Sequence, residues 1–200
     1  HNSAVLGFAV SRGHWMDLGG GAAGGQSFGT HIAAEGLRLP PLKVYENYKV
    51  NQDILEIILN NTRTPHFVKG DLQAHFGCLR AAESELQRAA ERYGIDTMQA
   101  AMKELQEYTE RIIRRSIETI PDGEYEATDY ADTDGFIDEI VNIKVKLVVK
   151  GTNITVDFTG TDPICKGAIN SPYANTASAV YYSLQFFLAP DAPQNQGMFV

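Results

Sequence analysis

A histidine and an aspartate three residues apart, His14 and Asp17, stand just before five glycines within seven positions in the stretch Ser11-Arg-Gly-His-Trp-Met-Asp-Leu-Gly-Gly-Gly-Ala-Ala-Gly-Gly25. An imidazole and a carboxylate can ligate a divalent cation or exchange a proton, and a glycine run can bring backbone amides up to a phosphate. The run contains GxGxxG, as Gly19-Gly-Gly-Ala-Ala-Gly24. A dinucleotide fingerprint requires a helix to begin there at once, so that its N-terminal amides face the pyrophosphate. The sequence continues instead with Gly25-Gln-Ser-Phe-Gly-Thr-His31, which is poor helix material. No Gly-Lys-Ser/Thr follows either, so a P-loop is excluded. Taken alone, a histidine and an aspartate near a strand end more often form a hydrogen-bonded pair than a metal site, which usually needs three protein ligands. The plain account of the glycines is a tight turn where backbone passes close to backbone.

Other polar residues have equally plain readings. Glu35, Arg38 and Lys43 could line a site, although surface ion pairs are the commoner fate of such residues. His66 is expected at a helix start, His75 on a helix surface, and His31 on a loop from which it could reach His14. Asp157 alternates with the buried positions of its strand and so points away from the core. Asn170 or Ser171 is expected to cap a helix, and Tyr181, Tyr182, Phe186 and Phe187 to belong to a core.

The elements that must position these groups follow from periodicity. Residues 4–10 form an apolar run expected as a buried strand, and 9 of the 18 glycines fall in residues 1–36, making a long loop. Pro40-Pro41 forces extended backbone before a short strand, and residues 50–60 form a short helix. Leu72, Phe76, Leu79, Leu86, Ala90 and Tyr93 share one helix face, and Gly94 supplies a left-handed stop. Asp96 or Thr97 is expected to cap a second helix, whose face carries Met98, Met102, Leu105, Tyr108, Ile112, Ile113, Ile117 and Ile120. The pair is expected as an antiparallel hairpin that Pro121-Asp-Gly123 ends. Strands around Ile143–Val149 and Ile154–Phe158 alternate as a β-hairpin, and residues 173–188 return to a helical pattern before Pro190. The class is α+β: a glycine-rich strand and loop region over 1–64, the helical hairpin over 65–120, and a β-hairpin plus helix over 121–200.

Composition narrows the function. The formal net charge of −8 argues against a general affinity for nucleic acid or anionic membrane. No apolar run approaches the roughly 20 residues that span a bilayer, and no secretory signal is visible. Cys78 and Cys165 form neither a CxxC pattern nor a disulfide framework, so a reducing cytoplasm is the expected setting. The apolar ends, without an initiator methionine, are those expected of a piece of a longer polypeptide.

Several blocks in one order carry more than any of them alone. Arg12-Gly-His-Trp-Met-Asp-Leu-Gly-Gly20 resembles the RGHHxDIGG motif of the hydantoinase B/oxoprolinase family, and Glu35-Gly-Leu-Arg-Leu-Pro-Pro-Leu-Lys43 its EGxRIPPxKL segment. Arg63-Thr-Pro65 with Gly70-Asp-Leu-Gln-Ala74, Arg92-Tyr-Gly-Ile-Asp96, Ile120-Pro-Asp-Gly123, Val156-Asp-Phe-Thr-Gly160 and Ile169-Asn-Ser-Pro172 follow in the family's order. The resemblance implies the B-type subunit of an ATP-dependent enzyme that opens a cyclic amide such as a hydantoin or 5-oxoproline. An A-type subunit or fused half would bind ATP and phosphorylate the substrate, which implies a hetero-oligomer. It further implies a divalent metal, with His14 and Asp17 as ligands or one of them orienting the other, and Glu35 and Arg38 as weaker site candidates. Further ligands would lie upstream of this stretch. Trp15 stands where many members have a second histidine and cannot coordinate metal. Two rivals follow: a subunit of a related acetone or acetophenone carboxylase, in which an enol phosphate meets carbonate, or a non-catalytic assembly subunit.

Overall fold

Gly94 divides the chain. Its φ of +82°, a left-handed conformation that suits glycine, ends one long helix and starts the next. The computed structural model describes residues 5–24 and 29–199, so Ala4 and residues 25–28 of the glycine loop lie outside the described residues. Two compact units result, His1–Tyr93 and Gly94–Val200, and the two helices expected as a hairpin fall one in each. The architecture is the expected mixture of helices and a small antiparallel sheet.

In the first unit, residues 5–10 run without strand pairing, and Phe8 and Val10 are 88% and 87% exposed. The buried strand expected here is therefore not formed. A strand needs a neighbour to complete its hydrogen bonds, and none of the described residues supplies one. Strands β1 (Tyr45–Glu46) and β2 (Lys49–Val50) make a hairpin whose turn residues Asn47 and Tyr48 both have positive φ, 49° and 62°. That conformation is costly for tyrosine. It is held by the Tyr48 hydroxyl donating to the Glu83 carboxylate, with oxygens at 2.9 and 3.0 Å, and by the Arg80 guanidinium 4.9 Å from its ring. Helix α1 (Gln52–Asn60), capped by the Asn51 side chain, buries Leu55 and Ile58. Helix α2 (Pro65–Tyr93) starts on a proline, where the missing N–H costs nothing, and buries Val68.

In the second unit, helix α3 (Ile95–Ile117) starts from Gly94 with no side-chain cap. Asp96 lies in its first turn rather than at the cap, where its charge suits the helix dipole. Strands β3 (Gly123–Ala131), β4 (Val141–Lys150) and β5 (Asn153–Asp157) form an antiparallel sheet in that order, with Leu147 opposite both Tyr125 and Val156. Helix α4 (Tyr173–Leu188) begins after Pro172 without a side-chain cap, because Asn170 is spent on Cys165 and Gly167 and the Ser171 hydroxyl on Asn175 and Thr176. The core gathers Ile113, Ile117, Val149, Ala189 and Ala192. Tyr181 is half-buried and stacks on Phe199, but Tyr182, Phe186 and Phe187 are 69%, 60% and 80% exposed, contrary to the expected core placement. Asp134, only 3% exposed, accepts from the backbone N–H groups of Phe136 and Ile137 on one oxygen and of Lys166 and Gly167 on the other. Among the described residues, no helix is long and apolar enough to cross a membrane.

The core assignment on α3 separates residues that periodicity alone groups together, since Met102, Leu105 and Tyr108 are about half exposed. Ile117→Ala in the full-length protein is expected to cost about 2–5 kcal/mol, whereas Met102→Ala should stay within about 0.5 kcal/mol. Calorimetric unfolding checks this; equal losses would place the core elsewhere.

Candidate active site

Asp17 is the most enclosed carboxylate of the first unit, at 1% exposure. A charge so far from water persists only if donors surround it. Its Oδ1 accepts from the Gly19 N–H at 2.9 Å and from the Arg63 guanidinium at 3.0 Å. Its Oδ2 accepts from the Thr62 hydroxyl at 3.1 Å and, in a very short bond, from the Arg63 N–H. The second guanidinium nitrogen of Arg63 donates to the Gly20 carbonyl at 2.5 Å. These bonds hold the carboxyl below its usual range. The Arg63 N–H is the largest cause, burial opposes it, and the Gly19 N–H, the Thr62 hydroxyl and the Arg63 charge add to it.

Around this anchor three distant segments close on one another. The Leu37 N–H donates to the Leu18 carbonyl at 2.8 Å and the Gly21 N–H to the Ala34 carbonyl at 3.1 Å, zipping residues 18–21 to 34–37. Gly19 and Gly20 have φ of +84° and +77°, and a Cβ on either would collide with a backbone carbonyl, of Asn61 and Ala34 respectively. Gly36, at φ +143°, leaves no room for a Cβ against Leu18. The glycines thus serve backbone packing in a turn, and residues 19–24 are not helical.

Immediately upstream a second cluster forms on α2. The Ser11 Oγ lies 2.6 Å from Nδ1 of His75, and the Trp15 indole N–H donates to its Nε2 at 3.2 Å. A Cβ on Gly13 would sit 2.9 Å from the same imidazole. His75 is therefore half-buried and bonded on both nitrogens, not a free helix-surface residue. An imidazole that accepts at Nε2 carries its proton on Nδ1, so His75 donates to Ser11. His75 is consequently not a base for the Ser11 proton.

The remaining candidates are dispersed. His14, between the two clusters in sequence, is exposed and makes no side-chain hydrogen bond among the described residues. His31 is also exposed, its Nδ1 accepting from the Ala33 N–H at 3.2 Å as the cap of the 3-10 turn Ile32–Ala34. Glu35, within the zipped segment, and Arg38, just after it, are exposed, and Lys43 pairs with Glu46 at 2.7 Å. Among the described residues no three His, Cys, Asp or Glu side chains converge as a metal site. Of the His14 and Asp17 pair, the carboxylate is taken up by protein donors, and the imidazole is the group left open.

Comparison with known proteins bears on the same segments. The hydantoinase B/oxoprolinase family model matches residues 1–200, the entire chain. The chain belongs to the hydantoinase B/oxoprolinase family. A putative D-/L-hydantoinase B-type subunit of Pseudomonas sp. (strain NS671) is 34% identical over 211 residues, covering 99% of this chain and 36% of that protein. The crystal structure of the ATP-dependent caprolactamase from Pseudomonas jessenii superposes with a TM-score of 0.84 at 30% identity, over 92% of this chain and 32% of that one. A nucleotide-free acetone carboxylase shares the fold at 16% identity, with a TM-score of 0.84 over 93% of this chain and 26% of that one. The chain spans between 16% and 36% of the length of curated relatives it matches. For a hydantoinase B/oxoprolinase chain, the decisive local fact is that the blocks RGHWMDLGG and RTP meet at one carboxylate, with EGLRLPP paired through its backbone to the glycine turn beside it. Sequence reasoning named Asp17 but missed Arg63 and Thr62 as its partners, because a separation of 45 residues leaves no local signal.

A carboxyl whose pKa is depressed by folding stabilises the fold at pH values above its unfolded pKa, and that stabilisation is lost as pH falls through the folded value. Asp17→Asn is expected to lower the melting temperature at pH 7 by at least about 5 °C and to weaken the loss of stability below about pH 4. A pH series of thermal melts checks both; an unchanged melt at pH 7 would remove Asp17 from the centre of the site.

Proposed function

We propose that this chain is part of the B-type component of an ATP-dependent cyclic-amide hydrolase, which opens a hydantoin or 5-oxoproline type of ring together with an A-type, ATP-binding subunit or fused half. The observation that carries the reading is the tie of the glycine turn to Arg63 through Asp17 and to residues 34–37 through its backbone, which leaves His14 exposed on a braced turn. The related hydantoinase B-type subunit and the ATP-dependent caprolactamase support the reaction class. A cyclic amide resists water through resonance, and phosphorylation of its oxygen by the partner makes it the better electrophile. The glycine turn here is not built for a nucleotide, in keeping with an ATP site on the partner.

In this reading His14 is the polar group that meets the activated ring, and Asp17 acts through the turn that carries it. Glu35 within the zipped segment and Arg38 just after it supply opposite charges for orienting a polar substrate. A divalent metal, when bound, supplies Lewis acidity and an activated water. From this chain His14 fits such an ion, and Asp17, with both oxygens occupied, does not in this arrangement. The reading carries with it a hetero-oligomer in a reducing cytoplasm, in keeping with the two free thiols Cys78 and Cys165.

The test uses the full-length protein with its A-type partner, assayed for ATP-dependent opening of hydantoin and 5-oxoproline. His14→Ala should lower turnover by at least about 100-fold while the complex elutes unchanged on gel filtration. Metal content measured by mass spectrometry should fall in the same variant. Full turnover in His14→Ala would favour an assembly role instead, and incorporation of labelled bicarbonate without ring opening would make the enzyme a carboxylase.

A further inference from the structure

We infer that His75 is a positioning residue for His14, and that position 15 requires a ring N–H donor to His75 rather than a metal ligand. The catalytic part of this inference rests on the function proposed above. The contacts themselves do not.

Residues 11–15 wrap one imidazole. Ser11 and Trp15, at the two ends of the segment, bond to its two nitrogens at 2.6 and 3.2 Å, and Gly13 lies so close to the ring that a Cβ there would displace it. The indole and imidazole planes are inclined at 45° with centroids 6.1 Å apart, which suits an edge hydrogen bond rather than stacking. His75 belongs to α2, a helix of 29 residues, so the segment is pinned to a rigid element at three successive odd positions. With 11, 13 and 15 held at His75, the His14 side chain between them makes no hydrogen bond to it. That agrees with its exposure.

The hydrogen bonding also fixes the chemistry at position 15. Nε2 of His75 is an acceptor only because the Trp15 N–H faces it, and this sets the proton on Nδ1 and the bond to Ser11. Trp15 therefore does here what any aromatic ring with an N–H could do, and histidine is the other side chain that carries one. A tryptophan in that place of the motif keeps the brace intact. Phenylalanine would fill the space and lose the bond.

The contacts can be tested without knowing the substrate, by diethyl pyrocarbonate modification of the full-length protein followed by peptide mass spectrometry. The reagent attacks an unprotonated imidazole nitrogen, and in His75 that nitrogen is occupied by the indole N–H. In the wild type, His14, His31 and His66 should react at least about tenfold faster than His75. Trp15→Phe should raise the His75 rate about tenfold with an unchanged melting curve, and Trp15→His should restore protection. His75 reacting as fast as His14 in the wild type, or indifferent to Trp15→Phe, would overturn the inference.

The catalytic arm compares kcat and KM for whichever of hydantoin or 5-oxoproline the complex opens. Trp15→Phe and His75→Phe should lower kcat with little change in KM. His75→Gln should recover most of it, since an amide can both accept from the indole and donate to Ser11. Unchanged kcat in both Phe variants would refute the positioning role even where protection holds. If the wild-type complex opens neither ring, the functional reading fails, and the modification result still decides the brace.

Discussion

The first unit depends on one buried charge. Removing the Asp17 carboxylate from water is unfavourable by itself, and the fold offsets this by bringing four donors from two places in the chain, Gly19 and Thr62–Arg63. Because the donors include a backbone N–H on each of two segments, the carboxylate fixes main chain and not merely side chains. Once Arg63 is held, its other nitrogen secures the Gly20 carbonyl, and the zipped pairing of 18–21 with 34–37 follows. The second unit repeats the device with backbone donors alone. Asp134 ties residues 136 and 137 to 166 and 167, and Gly167 has no space for a Cβ against it. In each unit an irregular stretch gains a defined shape from a single acceptor group, which is what a long loop needs if it is to present chemistry.

What could be read in the sequence was local. Helices α2 and α3, the β4–β5 hairpin and the glycine stop at residue 94 all follow from period and turn chemistry, and the structure contains them. The glycine run is likewise a place where backbone meets backbone, as Gly19 and Gly20 demonstrate. What could not be read was non-local or two-sided. Strand β3 escaped notice because it borders only β4 and is exposed along almost its whole length, so no apolar alternation marks it. The run at 4–10 misled for the opposite reason: its composition suits a buried strand, and burial depends on neighbours that composition cannot reveal. His75 illustrates the same limit. Its helical position alone gives no hint of Ser11 and Trp15, 60 or more residues earlier.

For the candidate site, residue types single out His14 and Asp17 together, and the structure gives the two different surroundings. His14 and Asp17 look like a matched pair in sequence, yet one is exposed and the other enclosed. Side chains three apart on irregular backbone need not share a face, and only the partners of each reveal its task. Tryptophan at position 15, which looks like a loss when the motif is viewed as a set of ligands, becomes intelligible once the acceptor opposite it is known.

The exposed aromatic side of α4 bears on how the chain behaves as a colloid. Tyr182, Phe186 and Phe187 together offer apolar surface that favours contact between molecules, while a net charge of −8 keeps molecules apart at longer range. Salt acts on these two forces in opposite directions, screening the repulsion and, for strongly hydrated anions such as sulfate, strengthening the attraction. Strongly hydrated salts therefore favour contact through this side of α4, and low ionic strength opposes it.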